Sequence, residues 1–314
     1  FMHFYRIEAA LATRSWIGEK TLLVQNDIQK QMDPLAGNNA ILWQKFPAAY
    51  FALESYLIEQ FNYIYSCHTE TAQFYQQRYP QLAESTSYLK NTVDEERFYP
   101  LDLLEKRKKS HALAREMELE EDTKFVLFAG RLHPQKDPFL LIEAFAHLNQ
   151  PMVHLLVAGT GELKPELEAK IEVLGLSKQV TMLGAVTQEK LAELHQISDV
   201  FVLSSVYEGL PFAVLEALSC GTPVVTTNAG ETPDFLAEDS GIVCDERTPK
   251  AIANALRQVL QNPEQYLSAA CVRTAKPYSA KTVVGKVYQD MLKRWELKNS
   301  AEMDANQHLS LVSS

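Results

Sequence analysis

From Lys124 onward, short apolar runs alternate with helical stretches, and this alternation limits the possible folds more than any other feature of the chain. The runs are apolar at nearly every position, as strands buried on both faces require. Six such units predict a doubly wound α/β domain, in which helices cover both faces of a parallel sheet. The predicted strands are Phe125–Ala129, Val153–Ala158, Val180–Leu183, Val200–Leu203, Pro223–Thr226 and Gly241–Cys244.

The first hundred residues differ in composition from the rest, because they hold most of the aromatic residues but only two of the 12 glycines. Such stretches favour helices packed on a core, and Pro47–Tyr65 predicts one; a sugar-stacking surface is the alternative use of the aromatic rings. We predict an N-terminal domain over residues 1–100 and a C-terminal domain over residues 101–276. A helix is expected over 277–297, followed by a polar, disordered tail over 298–314.

Charge and cysteine content restrict the possible partners. The formal net charge of −10 would repel a polyanion, so we expect no nucleic-acid partner. No apolar run approaches the ~20 residues of a membrane span. The 4 cysteines lack metal-site spacing and are interpreted as small buried residues in a reducing compartment. The sequence therefore predicts a cytoplasmic protein without a membrane span or a metal site.

Ligands of a doubly wound sheet bind beyond the carboxyl ends of its strands, so the loops at those ends are the candidate sites. The loop after the first predicted strand contains Gly130, Arg131 and Lys136 directly before a helix. Gly130 would let a ligand approach the backbone, and two cations beside free helical N–H groups would suit a diphosphate. The alternative is that both cations are only solvated.

The loop after the fourth predicted strand carries Glu208, and Glu216 follows eight residues later inside an otherwise apolar helix. An unpaired carboxylate is costly to bury, so Glu216 needs a partner such as the hydroxyl groups of a ribose or a hexose. The alternative is a carboxylate on the helix surface that faces water.

These two loops resemble the glycosyltransferase-4 family, also called glycosyl transferases group 1. The resemblance rests on Phe128–Leu132 with Lys136, on the spacing of Glu208 and Glu216, and on Ala217–Val225. It extends over about residues 87–297, including a closing helix that would pack back towards the N-terminal domain. The family implies a GT-B fold: two Rossmann-like domains, of which the C-terminal one holds a nucleotide-sugar donor.

The resemblance also implies roles for individual residues. Arg131 and Lys136 would bind the donor diphosphate, Glu216 the ribose hydroxyls and Glu208 the donor sugar. Glu208 and His3 are the catalytic candidates. The other implied substrate-binding residues are Gly130, Gly184, Gly209, Leu210, Phe212 and Ala213. The family retains anomeric configuration and needs neither a metal nor a cofactor, which implies sugar transfer from an NDP-sugar to an acceptor hydroxyl.

Two departures from the family pattern keep other functions open. Leu210-Pro211 stands where many members carry Phe-Gly, and Asp137 stands where many carry Gly. The stretch before the Arg131 loop is also shorter than in the family and lacks its Gly-rich loop, so we expect a truncated N-terminal domain. A nucleotide-sugar-binding protein without activity and an NDP-sugar epimerase are the alternatives.

Overall fold

The structure is a computed structural model that describes residues 2–13, 15–16, 18–24 and 45–312. Of residues 298, 299 and 301–312 it describes the backbone alone. The chain divides into two units, Phe1–Asn91 and Thr92–Ser314. The division therefore falls at residue 91, whereas the sequence analysis placed it at residue 100.

The N-terminal unit contains a parallel sheet of four strands in sequential order. Its helices are α1 (Pro47–Ile58) and α2 (Thr69–Arg78), with 3-10 helices at Ile7–Thr13 and Pro80–Ser85. The strands are β1 (Met2–Phe4), β2 (Lys20–Val24), β3 (Tyr63–Ser66) and β4 (Thr86–Tyr88).

The helix predicted over Pro47–Tyr65 is too long. It ends at Ile58, and Tyr63 already belongs to β3. Asn62 turns the chain, because its side-chain oxygen accepts from Lys20 N at 2.8 Å and its own N–H donates to Lys20 O, also at 2.8 Å. This pairing draws the following residues into the sheet beside β2.

Several aromatic residues of this unit form its core, whereas others have exposed side chains. Tyr75 and Tyr79 are buried, and their hydroxyl groups donate to the fully buried Glu54 carboxylate at 2.6 and 2.8 Å. Burial raises the pKa of Glu54, while these hydrogen bonds and Arg78 Nε, 3.7 Å away, act in the opposite direction. The rings therefore shield and satisfy a carboxylate that would be costly to bury alone.

The C-terminal unit contains the six-stranded parallel sheet that the sequence predicts. The strand order is β10-β9-β8-β5-β6-β7, so the chain builds outwards from β5 to one edge and then outwards from β8 to the other. This reversal beside β5 is the topological switch point of a doubly wound fold. The strands are β5 (Lys124–Ala129), β6 (Val153–Ala158), β7 (Val180–Gly184), β8 (Val200–Leu203), β9 (Val224–Thr227) and β10 (Gly241–Cys244).

Helices follow the strands in the predicted alternation, and the central strands are buried on both faces. Phe125, Val126, Leu127 and Phe128 of β5 have no exposed surface at all. The helices are α3 (Leu103–Glu116), α4 (Pro138–Leu148), α5 (Lys164–Val173), α6 (Gln188–Ile197), α7 (Phe212–Ser219), α8 (Thr232–Phe235), α9 (Pro249–Gln261), α10 (Ser268–Ala275) and α11 (Ala280–Val312).

Helix α11 differs from the prediction at its end. The predicted helix ends at residue 297, before a disordered tail over 298–314, but the helical backbone continues to Val312. The physical reason is that the chain contains neither glycine nor proline after Gly285 up to that point. Among the helices that the structure describes, none has an apolar segment long enough to cross a membrane.

His154 is a buried titratable group in the sheet. It lies on β6 with 5% of its surface exposed, and its Nε2 is 2.8 Å from Thr181 Oγ1 on β7. Burial lowers the pKa of His154 to about 4. The folded protein therefore holds a neutral imidazole at a pH where an unfolded chain already binds the proton.

This difference predicts a pH-dependent stability. Below its ordinary pKa of about 6.5, His154 takes up a proton only in the unfolded chain, so the free energy of unfolding should fall by about 3 kcal/mol from pH 7 to pH 4 through this residue. A His154→Gln variant, which can keep a hydrogen bond to Thr181, should lack this part of the decline in urea titrations at several pH values. The exposed His147 provides the control variant, His147→Gln. Parallel pH profiles for wild type and His154→Gln would contradict the assignment.

Candidate functional site

Two loops meet at the switch point of the sheet, because β5 and β8 are parallel neighbours and their carboxyl ends lie at the same edge. Loop 130–137 follows β5, and loop 204–211 follows β8. Val206 N donates to Gln135 O at 2.8 Å. Ser204 Oγ shares its hydrogen bond between two successive carbonyl oxygens of the first loop, at 2.8 and 2.9 Å. The two predicted loops therefore form one surface.

A lysine and a glutamate pair across this surface. Lys136 Nζ and Glu208 Oε1 are 2.5 Å apart, and Ser205 Oγ donates to the same carboxylate oxygen. The Glu208 side chain is only 7% exposed and that of Lys136 20%. Breaking a pair this well buried typically costs 3–5 kcal/mol, roughly, because the remaining charge is left uncompensated. The pair therefore sets the position of both groups.

Arg131 is the free cation of the first loop. Its side chain is exposed, and it has no hydrogen-bond or ion-pair partner within the part of the chain that the structure describes. Its carbonyl oxygen accepts from His133 N at 2.9 Å, which begins the tight turn towards Lys136. Lys136 is thus held in an ion pair, whereas Arg131 is available to an incoming anion.

The start of α4 has fewer free N–H groups than expected from the sequence, because the Leu140 N–H is capped. Asp137, in the left-handed conformation with φ +40°, is the N-cap of α4 and accepts from Leu140 N at 3.2 Å. Pro138 at the first helical position has no N–H, and Arg247 forms an ion pair with the Asp137 carboxylate. Asp before Pro at a helix start is a capping signal that the sequence already contained.

The N-terminus of α7 is the open one. The helix starts at Phe212 after Pro211, and no side chain among the described residues caps it. The first N–H groups of a helix have no partner inside the helix, so those of Phe212 and Ala213 can serve a ligand. Leu210 is buried beneath this turn, whereas the Phe212 side chain is 54% exposed. An anion beside Glu208 and Lys136 would meet this helix end.

Glycines let two further loops approach the site closely, which the sequence analysis missed. Gly159, after β6, has φ +143°, and a Cβ there would overlap the carbonyl oxygen of Gly130. Gly230, after β9, has φ +70°, and a Cβ there would overlap Gly209 O, which accepts from Glu231 N at 3.0 Å. The motif Gly159-Thr160-Gly161 thus packs one loop on another.

Glu216 lies in α7, and its side chain is only 14% exposed, so the alternative of a water-facing carboxylate is wrong. Its Oε2 lies 3.7 Å from Nε2 of His195, which is fully buried between the rings of Phe98 and Phe201. Burial lowers the pKa of His195, although Glu216 acts in the opposite direction. Neither imidazole nitrogen has a hydrogen-bond partner among the described residues. No sequence pattern indicates this contact, because it depends on how α6 and α7 pack.

The remaining predicted site residues are placed as follows. Gly184 ends β7, at the edge of the sheet, and its carbonyl oxygen accepts from Gly159 N at 2.8 Å. Gly184 is therefore hydrogen-bonded to the loop that follows β6. His3 lies in β1 of the N-terminal unit, in register with Thr21, and its side chain is exposed. Its catalytic role stays a prediction.

A doubly wound sheet that gathers cations, carboxylates and an uncapped helix end at its switch point is typical of α/β proteins that bind nucleotides or phosphates. The chain belongs to the family described as glycosyl transferases group 1, whose sequence model matches residues 110–276, more than half of the protein. The resemblance seen in the two loops is thereby confirmed.

Within the matched segments, about a third of the residues are identical to those of curated relatives. An uncharacterized glycosyltransferase of Methanocaldococcus jannaschii is 34% identical over 150 residues, which are 47% of this chain and 38% of that protein. A D-inositol 3-phosphate glycosyltransferase of Geodermatophilus obscurus is 35% identical over 199 residues, 60% of this chain and 42% of that protein. The matches thus cover less than half of these relatives' length.

Solved structures confirm the GT-B fold. The Anabaena protein HepE, in complex with UDP and glucose, superimposes with a TM-score of 0.71 over 91% of this chain and 74% of its own, at 17% identity. Sucrose-phosphate synthase from Thermosynechococcus elongatus gives a TM-score of 0.69 at 19% identity, covering 93% of this chain and 73% of its own.

The close approach at Gly230 can be tested against a matched glycine. Gly175 also has φ +70°, but a Cβ there would meet nothing within 4 Å. Gly175→Ala should therefore cost only the left-handed backbone conformation, about 1–2 kcal/mol. Gly230→Ala should cost clearly more in urea unfolding, since its Cβ would also displace the Gly209 carbonyl. Equal losses in the two variants would show that the two loops are not in close contact.

Proposed function

We propose that the protein transfers a sugar from a nucleoside-diphosphate donor to an acceptor hydroxyl. The observation that carries the proposal is the meeting of the Lys136–Glu208 pair, Arg131 and the open N-terminus of α7 at the switch point. Membership of the glycosyl transferases group 1 supports it. The HepE structures with UDP and with UDP-glucose support a nucleotide-sugar donor for a chain of this fold.

The donor diphosphate would lie over the first loop. Arg131, which is exposed, would bind the phosphate oxygens, and the ammonium of Lys136 would approach them while keeping its contact with Glu208. The N–H groups at the start of α7 would add donors with a favourable dipole. Sugar transfer leaves negative charge on the departing diphosphate, so cations fixed at this position lower the barrier.

The two carboxylates would take different parts of the donor. Glu216 lies one turn inside α7, and only 14% of its side chain is exposed, so its ligand has to reach a recessed oxygen. Paired ribose hydroxyls fit this requirement, since each can donate to a carboxylate. Glu208, beside Gly209 in the loop before α7, would accept from hydroxyls of the donor sugar through the oxygen that does not bind Lys136 and Ser205.

We also propose that transfer retains the anomeric configuration and requires no metal. Glu208 already accepts from Lys136 and Ser205 through one oxygen, so it is poorly suited to act as a covalent nucleophile. Attack by the acceptor on the face that the diphosphate leaves would retain the configuration without such an intermediate. Lys136, Arg131 and the α7 amides would supply the charge that a metal provides in other transferases.

Nucleotide binding is the first test. Calorimetric titration with UDP, GDP and ADP should show binding of one of these nucleotides, and Arg131→Ala should weaken it about tenfold or more through loss of a charge-assisted contact. Glu216→Gln should also weaken binding. Arg115→Ala removes an exposed arginine of α3 that pairs with Glu121, so it serves as the control and should bind like wild type. If Arg131→Ala and Glu216→Gln bind the nucleotide as tightly as wild type, the proposed donor site is contradicted.

Turnover is the second test and needs no knowledge of the acceptor, because water can replace it. Slow hydrolysis of an α-linked donor sugar should release the α-anomer first, as followed by NMR, and should continue in EDTA. Glu208→Gln should lower the rate by about tenfold or more, since it unbalances the charge beside Lys136. Initial release of the β-anomer would overturn retention, and loss of turnover in EDTA would overturn metal independence. If nucleotide binds with no turnover of any donor, the protein is a binding protein only.

A further inference from the structure

A cavity lies at the amino ends of the strands, at the sheet edge opposite to the candidate donor site. It has a volume of about 330 Å³, which is within the range of small-molecule sites. Lys124, the first residue of β5, and Asp199, directly before β8, line it from the sheet side. Lys106 reaches it from α3. All of these residues belong to the C-terminal unit.

The two lysines lack a close counter-ion. Lys106 Nζ donates to Ser198 O at 2.7 Å, and Lys124 Nζ donates to Leu260 O at 2.5 Å. No carboxylate oxygen of the described residues lies within 4 Å of either ammonium group. An ammonium has three N–H donors, so each lysine has two left. Both lysines are half-buried, and charges withdrawn from water are normally paired, so two such groups in one cavity indicate a place for an anion.

Asp199 interacts electrostatically with both lysines, but one carboxylate offsets only one of their two charges. Its Oδ2 accepts from Phe125 N at 2.8 Å, which holds the carboxylate against the backbone of β5. Burial raises the pKa of Asp199, with Lys106 acting in the opposite direction, and burial likewise lowers the pKa of Lys106. The cavity thus holds two lysines and one carboxyl group, and an added anion would improve its charge balance.

The rest of the cavity suits an organic anion better than a bare one. Leu267 and Ser268 line it at the start of α10, a helix whose N-terminus no described side chain caps. Free N–H groups at this end favour negative charge. The other walls are largely apolar, and they include Leu101, Leu103, Val259, Pro263 and Tyr266. Leu103 and Leu267 are 83% and 59% exposed, so apolar surface continues to the mouth of the cavity.

We propose that this cavity binds a small organic anion, a carboxylate or phosphate group attached to an apolar body, with the anionic group between Lys106 and Lys124. The apolar body would cover Leu103, Tyr266 and Leu267. This site is separate from the donor site, since it lies at the other ends of β5 and β8, and the proposal stands whether or not the protein transfers sugars.

Helix capping is the competing role of the lysines. Ser198 is the C-cap of α6, and Leu260 lies in the last turn of α9, so both lysines bind carbonyl groups at helix C-termini. If the lysines only cap helices, each uses one N–H of its ammonium group. Substitution should then lower the stability of the protein without changing the binding of any anion. An anion site predicts a ligand response that follows the positive charge.

The experiment titrates the full chain with n-hexyl phosphate, hexanoate and inorganic phosphate in a calorimeter. We expect hexyl phosphate or hexanoate to bind more tightly than inorganic phosphate. If hexyl phosphate binds more tightly than hexanoate, the site prefers a phosphate group; if hexanoate binds more tightly, it prefers a carboxylate. Lys106→Met should weaken that binding about tenfold or more, and Lys106→Arg should restore most of it. Lys178→Met, at an exposed lysine outside the cavity, is the matched control and should bind like wild type. Saturating UDP should leave the binding unchanged.

Three results would overturn the proposal: no binding of either organic anion to wild type, binding that Lys106→Met leaves intact, or displacement by UDP. Circular dichroism shows whether Lys106→Met is folded. If it is not, acetylation of the wild type decides, because a bound anion should protect Lys106 and Lys124 but not Lys178. Equal acetylation of all three with and without hexyl phosphate would mean that the lysines only cap helices.

Discussion

The parallel pairing of β5 with β8 is the constraint on which the site depends. These strands are separated in sequence by two complete strand–helix units, yet they are neighbours in the sheet. Their loops therefore leave the same edge side by side, and the backbone hydrogen bond from Val206 to Gln135 joins them. Any other position of β8 would separate Lys136 from Glu208.

The sequence predicted the frame of the C-terminal unit well, because strands buried on both faces are continuous apolar runs. The observed β5, Lys124–Ala129, differs from the predicted Phe125–Ala129 by one residue. The helix predicted over Pro47–Tyr65 exists but ends at Ile58, and its predicted end was wrong because aromatic and aliphatic residues suit a helix and a strand equally. The prediction failed after Lys298, where a polar composition was taken for disorder although nothing in it interrupts a helix.

The candidate site could be predicted in its parts but not in its contacts. Glu208 and Lys136 were both identified, but their ion pair requires the strand order, which spacing along the chain does not contain. The contact of His195 with Glu216 follows from helix packing alone, so no spacing along the chain indicates it. The capping role of Asp137 could have been predicted, because Asp before Pro is a capping signal in the sequence itself. Asp137 was instead interpreted only as a departure from the family pattern.

The contacts that hold these loops together run mainly between backbone atoms. Leu132 N donates to Thr160 O at 2.9 Å, and Glu231 N donates to Gly209 O at 3.0 Å. Apart from the glycines that permit the close approach, such contacts do not depend on side-chain identity, whereas Arg131 and Phe212 project from the same loops with exposed side chains. Substitutions at these two exposed positions can thus change ligand preference while the loop framework persists, which makes this edge of the sheet a favourable place for specificity to diverge during evolution.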